Sequence, residues 1–126
     1  MILAIDAGFR STGWTIFENK KPIACGVIST QKAPKKTKVR VADDEAQRCA
    51  TITRGLMDIV DNDQYKIKGV VVELPSGGSQ SAISMRQMGK ITGVLVAFCI
   101  VKNIPYEVVT PQEVKKVMTG RNAATK

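Results

Sequence analysis

Short apolar runs near the start of the chain predict three β-strands. The runs cover residues 2–5, 13–18 and 23–29, and the connections between them are short. The second connection, residues 19–22, has the sequence Asn-Lys-Lys-Pro, which is typical of a hairpin turn. The pattern therefore predicts that the fold begins with an antiparallel meander.

The apolar period then changes from strand-like to helical. From Asp43 onward, small and apolar residues recur every three to four positions, as in an amphipathic helix. They are Ala46, Cys49, Ala50, Thr53, Leu56, Met57 and Val60. A second helix is predicted over residues 81–102, and its segment 91–101 is apolar at nine of eleven positions. We expect the sheet to cover one side of this segment and a partner subunit another.

Two further strands and a short last helix complete the predicted fold. The strands are residues 69–73 and 104–109, and residues 110–120 open with Thr-Pro-Gln-Glu, which is typical of a helix start. Helices that join parallel strands do so in right-handed crossovers. At 126 residues, the chain is expected to form one α/β domain. Its predicted sheet is mixed and five-stranded, with three antiparallel strands first and flanking helices.

Two acidic residues stand where predicted strands end. Asp6 closes the first apolar run and opens the turn Asp-Ala-Gly-Phe-Arg-Ser-Thr-Gly, and Glu73 closes the strand at residues 69–73. Carboxylates at the carboxyl ends of neighbouring strands converge at one edge of a sheet, where Mg²⁺ finds oxygen ligands. Such a site needs no histidine, and the chain contains none. Taken alone, an Asp-x-Gly turn such as that at Asp6 is more often structural, and it is the second acid, Glu73, that favours a functional site.

The charge of the chain favours a polyanionic partner. Nineteen Lys and Arg residues against eleven Asp and Glu residues give a net charge of +8, which favours nucleic acid, with simple solubility as the alternative. The basic residues concentrate in a predicted mobile loop at positions 31–41, which we expect to clamp DNA without sequence specificity. They are Lys32, Lys35, Lys36, Lys38 and Arg40. A loop that is merely solvated is the alternative.

Two more segments are candidate phosphate contacts. Gly77, Gly78 and Ser79 form a polar loop ahead of a helix start, where backbone N–H groups can cradle phosphate, although a plain connection is equally compatible. Arg86 and Lys90 are four residues apart and share one face of the second helix. From that face they could reach the DNA backbone, the alternative being a solvated face.

Cysteine usage and hydropathy indicate a cytoplasmic protein, of a bacterial cell or a phage-infected host. The three cysteines are odd in number and lack Cys-x-x-Cys spacing, which is typical of a reducing compartment. The longest apolar stretch is shorter than a bilayer span, so no membrane association is expected.

Three motifs in order carry a resemblance to a known family. They are residues 2–8 with Thr12-Gly13-Trp14, residues 70–73, and residues 73–93, followed by lysines at positions 115 and 126. Over its whole length the chain resembles the RuvC-type Holliday-junction resolvases of the RNase H-like superfamily, most closely their bacteriophage members. The resemblance implies a homodimer that cuts Holliday junctions or other branched DNA by two-metal-ion hydrolysis, without a small-molecule cofactor.

The resemblance also assigns roles to individual residues. It implies that Asp6 bridges two Mg²⁺ ions, with Mn²⁺ a plausible substitute, that Glu73 holds one, and that Lys115 and Lys126 contact phosphates. The family pattern continues into a last helix with two more metal-binding carboxylates, which residues 1–126 are expected to lack. It also has an aromatic wedge after the second acid, where this chain has Leu-Pro-Ser at positions 74–76.

Two other functions remain open at this point. One is a noncatalytic module that binds branched DNA, because the expected last helix is missing. The other is a fragment of an actin-like nucleotide-binding protein, whose phosphate turn also carries Asp-x-Gly near a first strand. Such ATPases need two lobes to enclose a nucleotide, which one domain does not provide.

Overall fold

The computed structural model describes residues 1–74 and 81–110. Within these ranges the elements are five strands and two long helices, with a short 3₁₀ turn at Lys35–Thr37. In chain order they are β1 (Ile2–Asp6), β2 (Ser11–Glu18), β3 (Lys21–Ser29), α1 (Val41–Val60), β4 (Gly69–Glu73), α2 (Ala82–Val101) and β5 (Tyr106–Val109). Apart from Thr110, the helix predicted at residues 110–120 lies outside the described residues.

The five strands form one mixed sheet in the order β3-β2-β1-β4-β5. Neighbouring strands are antiparallel from β1 to β3, and β4 runs parallel to both β1 and β5. The predicted fold class is confirmed: three antiparallel strands come first, and helices make the two parallel crossovers.

The hairpin between β2 and β3 is tighter than predicted. Asn19 and Lys20 both have positive φ, at 51° and 67°, as the two central residues of a type I′ turn require. The strand β3 therefore begins at Lys21 and includes Pro22. Proline is tolerated there because β3 is an edge strand of the sheet.

One face of the sheet carries the core. Side chains alternate along each strand, and Leu3, Ile5, Val70 and Val72 are buried while their neighbours in β1 and β4 are more exposed. Both helices contribute to the same buried cluster, so both cover this face. The opposite face of β1 and β4 presents Asp6 and Glu73.

The buried stripe of α1 differs from the predicted one. The buried positions are Glu45, Arg48, Ile52, Leu56 and Ile59, whereas Ala46 and Met57 of the predicted stripe are exposed. The prediction was wrong in phase because the stripe it followed left out Ile52 and Ile59, which are apolar and buried. Two of the inward positions are charged residues that are paired inside the fold.

Helix α2 matches its predicted limits and is covered on one side. The Ser81 side chain caps it by accepting a hydrogen bond from the Ser84 N–H at 3.0 Å. By length and composition, α2 is also the one described helix that could cross a membrane, a weak indication because core helices meet the same test. On its inward side, the buried residues Ile91, Leu95, Phe98 and Cys99 pack into the core.

Candidate active site

Asp6 and Glu73 lie side by side at the ends of adjacent parallel strands. They are register partners in the β1–β4 pair, so their backbones are separated by one strand spacing, about 4.8 Å. Register partners point to the same face of a sheet. Asp6 is exposed and Glu73 is partly buried. The convergence expected from the sequence is therefore present in the fold.

The two carboxylates border an open depression on the sheet face opposite the core, which residues 1–74 and 81–110 leave uncovered. Its volume is 510 Å³. Gly13 is the partner of Asp6 on β2, and the absence of a side chain there keeps the space beside Asp6 open. The other lining residues are Ala4, Ile5, Trp14, Thr15, Phe17, Cys25, Gly26, Val27, Val71 and Val109.

The turn after Asp6 is fixed by one hydrogen bond within the turn and one to the end of β4. The Thr12 hydroxyl donates to the Gly8 carbonyl at 2.7 Å, and the Ala7 N–H donates to the Glu73 carbonyl at 3.1 Å. A Cβ atom on Gly8 would lie 2.4 Å from the Ser11 carbonyl oxygen, so only glycine fits this turn. The strand carrying Glu73 and the turn following Asp6 are thus bonded directly to each other.

A buried arginine supports the same turn from beneath. Arg48 donates from Nε to the Thr30 hydroxyl at 2.8 Å, and that hydroxyl donates to the Phe9 carbonyl at 2.7 Å. The guanidinium lies 4.5 Å from the centre of the Phe9 ring, a cation–π distance. Phe9 is itself buried and serves this packing.

The donor set suits a hard cation, although two carboxylates alone do not complete a site. Within residues 1–74 and 81–110, no three His, Cys, Asp or Glu side chains cluster closely enough to hold a metal ion. Burial raises the pKa of the Cys49 and Cys99 thiols, which makes them poor metal ligands. The arrangement fits an oxygen-preferring divalent ion that takes further ligands from other residues or from water.

Arg86 and Lys90 are tied to a buried acid that sequence reasoning missed. Glu45 is only 2% exposed, and Arg86 grips its carboxylate with two N–H groups, at 3.0 Å from Nε and 2.6 Å from Nη2. Lys90 donates to the same carboxylate at 2.6 Å. The Arg86 and Lys90 bonds lower the pKa of Glu45 to about 2. Neither basic residue is on a merely solvated face.

The basic loop at positions 31–41 is anchored to α1. Asp44 accepts a hydrogen bond from the Ala33 N–H at 2.9 Å, and Arg40 forms an exposed ion pair with Asp43 at 2.8 Å. Lys35, Lys36 and Lys38 are exposed and form no ion pair within the described part of the chain. The predicted basic surface therefore centres on these three lysines.

Several predicted site residues fall outside the described ranges. They are Gly77, Gly78 and Ser79 in the proposed phosphate loop, and Lys115 and Lys126 near the end of the chain. Among the described residues, sequence reasoning missed Thr30, Glu45 and Arg48. The sequence does contain a pattern that predicts the burial of Glu45 and Arg48. Both continue the helical spacing of the apolar residues Ile52, Leu56 and Ile59, which places them on the inward face of α1.

A family model and curated relatives match nearly the whole chain. The family model described as "Crossover junction endodeoxyribonuclease RuvC" matches residues 2–126. The protein of that name from Hydrogenovibrio crunogenus is 30% identical over 129 residues, which cover 99% of this chain and 67% of the relative. The chain spans 62% to 71% of the lengths of the curated relatives that it matches.

Solved structures show the same fold. Thermus thermophilus RuvC superposes with a TM-score of 0.72 at 19% identity, over 99% of this chain and 72% of that one. The T. thermophilus RuvC in complex with Holliday junction substrate superposes with a TM-score of 0.74 at 17% identity, with the same coverage.

Proposed function

Because the chain belongs to the RuvC family of crossover junction endodeoxyribonucleases, we propose that it is a structure-specific endonuclease that cuts Holliday junctions or other branched DNA. The observation that carries this proposal is the register pairing of Asp6 with Glu73 at the carboxyl ends of β1 and β4, on the sheet face that the two described helices do not cover. The pairing supplies two adjacent carboxylates beside an open surface, which phosphodiester hydrolysis with a divalent metal ion requires.

Asp6 and Glu73 would hold Mg²⁺, with Mn²⁺ an acceptable substitute. When bound, the metal would stabilise charge at phosphorus and provide an activated water. The proposed number of ions is two, which requires carboxylates beyond this pair, contributed from outside the described residues. The chain's own part is to keep the two carboxylates adjacent through the Gly8 turn and the Ala7–Glu73 hydrogen bond.

The DNA would lie across the basic residues that surround the acids. We assign Lys35, Lys36, Lys38 and Arg40 to nonspecific backbone contacts, and Arg86 and Lys90 to contacts near the Asp6 turn. Lys115, Lys126 and the loop Gly77, Gly78 and Ser79 keep their predicted phosphate roles. A groove between the turn and α2 supports this placement of α2: residues 7–11 line one side, and Ser84, Gln87 and Met88, which flank Arg86 in sequence, line the other.

A homodimer acting in the cytoplasm is the proposed working form. A four-way junction has two-fold symmetry, so its resolution by paired nicks suits a symmetric dimer. The outward side of α2 is a candidate interface because Met85, Ile100 and Val101 are exposed apolar residues there.

Cleavage of a labelled four-way junction tests the proposal against its alternatives. With Mg²⁺, the full-length protein should cut the junction much faster than a linear duplex of the same sequence, and EDTA should stop the reaction. Tight junction binding without any metal-dependent cutting would instead favour the noncatalytic module. Tight ATP binding without DNA binding would favour the nucleotide-binding alternative.

A further inference from the structure

The ion cluster of Glu45, Arg86 and Lys90 places an acid where a DNA-binding surface should exclude one. If Arg86 and Lys90 acted only by attracting phosphate, Glu45 would weaken them by offsetting one of their two charges. Buried ion pairs are also weak evidence for stability, since desolvation of the charges opposes their attraction. Attraction of phosphate and stability alone therefore do not account for the cluster.

The contacts fix the direction of both basic side chains. Arg86 donates from Nε and Nη2 to the two carboxylate oxygens of Glu45 in a bidentate ion pair. This pairing sets the plane of the guanidinium. Lys90 approaches the same oxygen, Oε1, from one helical turn further along α2. A side chain that is already oriented loses less conformational entropy when it binds a ligand.

Both basic groups keep donors available to a second anion. The Arg86 side chain is 43% exposed and the Lys90 side chain 38%, whereas Glu45 beneath them is 2% exposed. Within the described part of the chain, Nη1 of Arg86 forms no hydrogen bond, and Lys90 uses its ammonium group for Glu45 alone. An anion approaching from solvent would therefore meet two oriented donors, because Glu45 lies beneath them and Asp44, the other carboxylate of the pocket, is paired with Arg48.

The cluster also lies close to the Asp6 turn. Gln87, the neighbour of Arg86, lines both the pocket that contains Glu45 and Arg48 and the groove that borders the turn at residues 7–11. The pocket measures 120 Å³ and also reaches Lys32 of the basic loop. A phosphate bound by Arg86 would thus lie between the basic loop and the candidate active site.

We propose that Glu45 is a positioning residue that holds Arg86 and Lys90 as one phosphate site, adapted to the DNA backbone of a branch point. This inference rests on the proposed function. Cations that swing freely accept phosphates in any arrangement, whereas an oriented pair favours the one backbone path that it fits. Selectivity for branched over linear DNA should therefore depend on an acid that touches no DNA.

The test compares two substitutions that change the charge equally. Glu45→Gln and Asp58→Asn each remove one negative charge from α1, and Asp58 is exposed on that helix. Binding to a labelled four-way junction and to a matched linear duplex is measured without divalent metal. Asp58→Asn should tighten both complexes slightly and equally. Glu45→Gln should tighten the duplex complex but weaken the junction complex, lowering the junction-to-duplex affinity ratio about tenfold.

An equal effect of both substitutions on both DNAs would overturn the positioning role. If circular dichroism shows that Glu45→Gln does not fold, Arg86→Lys serves as the test variant. Lysine keeps the positive charge but cannot form the bidentate ion pair with Glu45. Arg86→Lys should lower the affinity ratio, and an unchanged ratio would overturn the proposal. A wild-type protein with no preference for the junction would count against the proposed function itself.

Discussion

Two charged residues of α1 are buried in this fold, and each is paired with a different part of the molecule. Arg48 reaches the Phe9 segment through Thr30, and Glu45 reaches Arg86 and Lys90 on α2. Buried charges persist only when they are paired and hydrogen-bonded. At the scale of single residues, the first turns of α1 therefore connect the Asp6 turn to the helix that borders it.

Replacing Arg48 should destabilise the whole domain. Arg48→Met leaves the Thr30 hydroxyl without its donor and Asp44 without its buried partner, so we expect a loss of about 3 kcal/mol in the free energy of unfolding. Urea denaturation measures this loss. Arg40→Met, which breaks an ion pair with side chains 78% and 55% exposed, is the control and should change stability little. Equal effects of the two substitutions would contradict the support assigned to Arg48.

Glu45 should make stability depend on pH in the acid range. Its carboxyl pKa falls from 4.5 to about 2 on folding, so the folded state favours the ionised form. This contribution is fully present above pH 4.5 and disappears as pH falls through about 2. The stability difference between wild type and Glu45→Gln should therefore shrink as pH is lowered over this interval. Thermal melts at several pH values test it, and a constant difference would refute the assignment.

At the scale of elements, α2 presents a second apolar side that the described residues leave uncovered. Gly89 and Gly93 lie on that side, and a Cβ atom added to either would meet no atom within 4 Å. Ile100 and Val101 are 64% and 82% exposed further along the helix. A close helix partner across this surface would explain two glycines in a helix interior, where glycine costs stability.

Gly93→Ala should have opposite effects on the subunit and on the dimer. Alanine should stabilise the isolated subunit by about 0.5–1 kcal/mol, because it is the better helix former and the space is open. The same methyl group should weaken a dimer packed against this side. Analytical ultracentrifugation and thermal melts separate the two effects. Gly55→Ala in α1 is the control: its Cβ would lie 2.7 Å from Ile28, so it should destabilise the subunit.

The elements themselves could largely be predicted from the sequence, but their charged contacts could not. The apolar runs of the strands, the limits of α2 and the acids closing β1 and β4 depend on neighbouring residues, and the structure contains them as expected. The pairing of Glu45 with Arg86 joins residues 41 positions apart, which no local pattern reports. The phase of α1, by contrast, was within reach of the sequence, because Glu45 and Arg48 continue the spacing of the apolar residues Ile52, Leu56 and Ile59.

At the scale of the whole molecule, the net charge of +8 should make DNA binding strongly dependent on salt. Replacing Lys35, Lys36 and Lys38 with glutamine should reduce the slope of log affinity against log salt by about 2 to 3, since each lost phosphate contact contributes about 0.9. The matched control replaces Lys20, Lys21 and Lys68, which lie at the opposite end of the sheet from Asp6. Equal slope changes in both triple variants would show that only total charge matters.

Asp6 and Glu73 are proposed to act together in metal-dependent cleavage. Substitution of each acid in the full-length protein tests this role most directly. Asp6→Asn and Glu73→Gln are compared with Glu107→Gln, which removes an acid paired with Val71 on the same face of the sheet. Cleavage of one labelled four-way junction is followed with Mg²⁺, and binding is followed without it. The first two variants should cut about a thousandfold more slowly yet bind the junction as wild type does, while Glu107→Gln cuts normally. Near wild-type cleavage by either Asp6→Asn or Glu73→Gln would contradict the account.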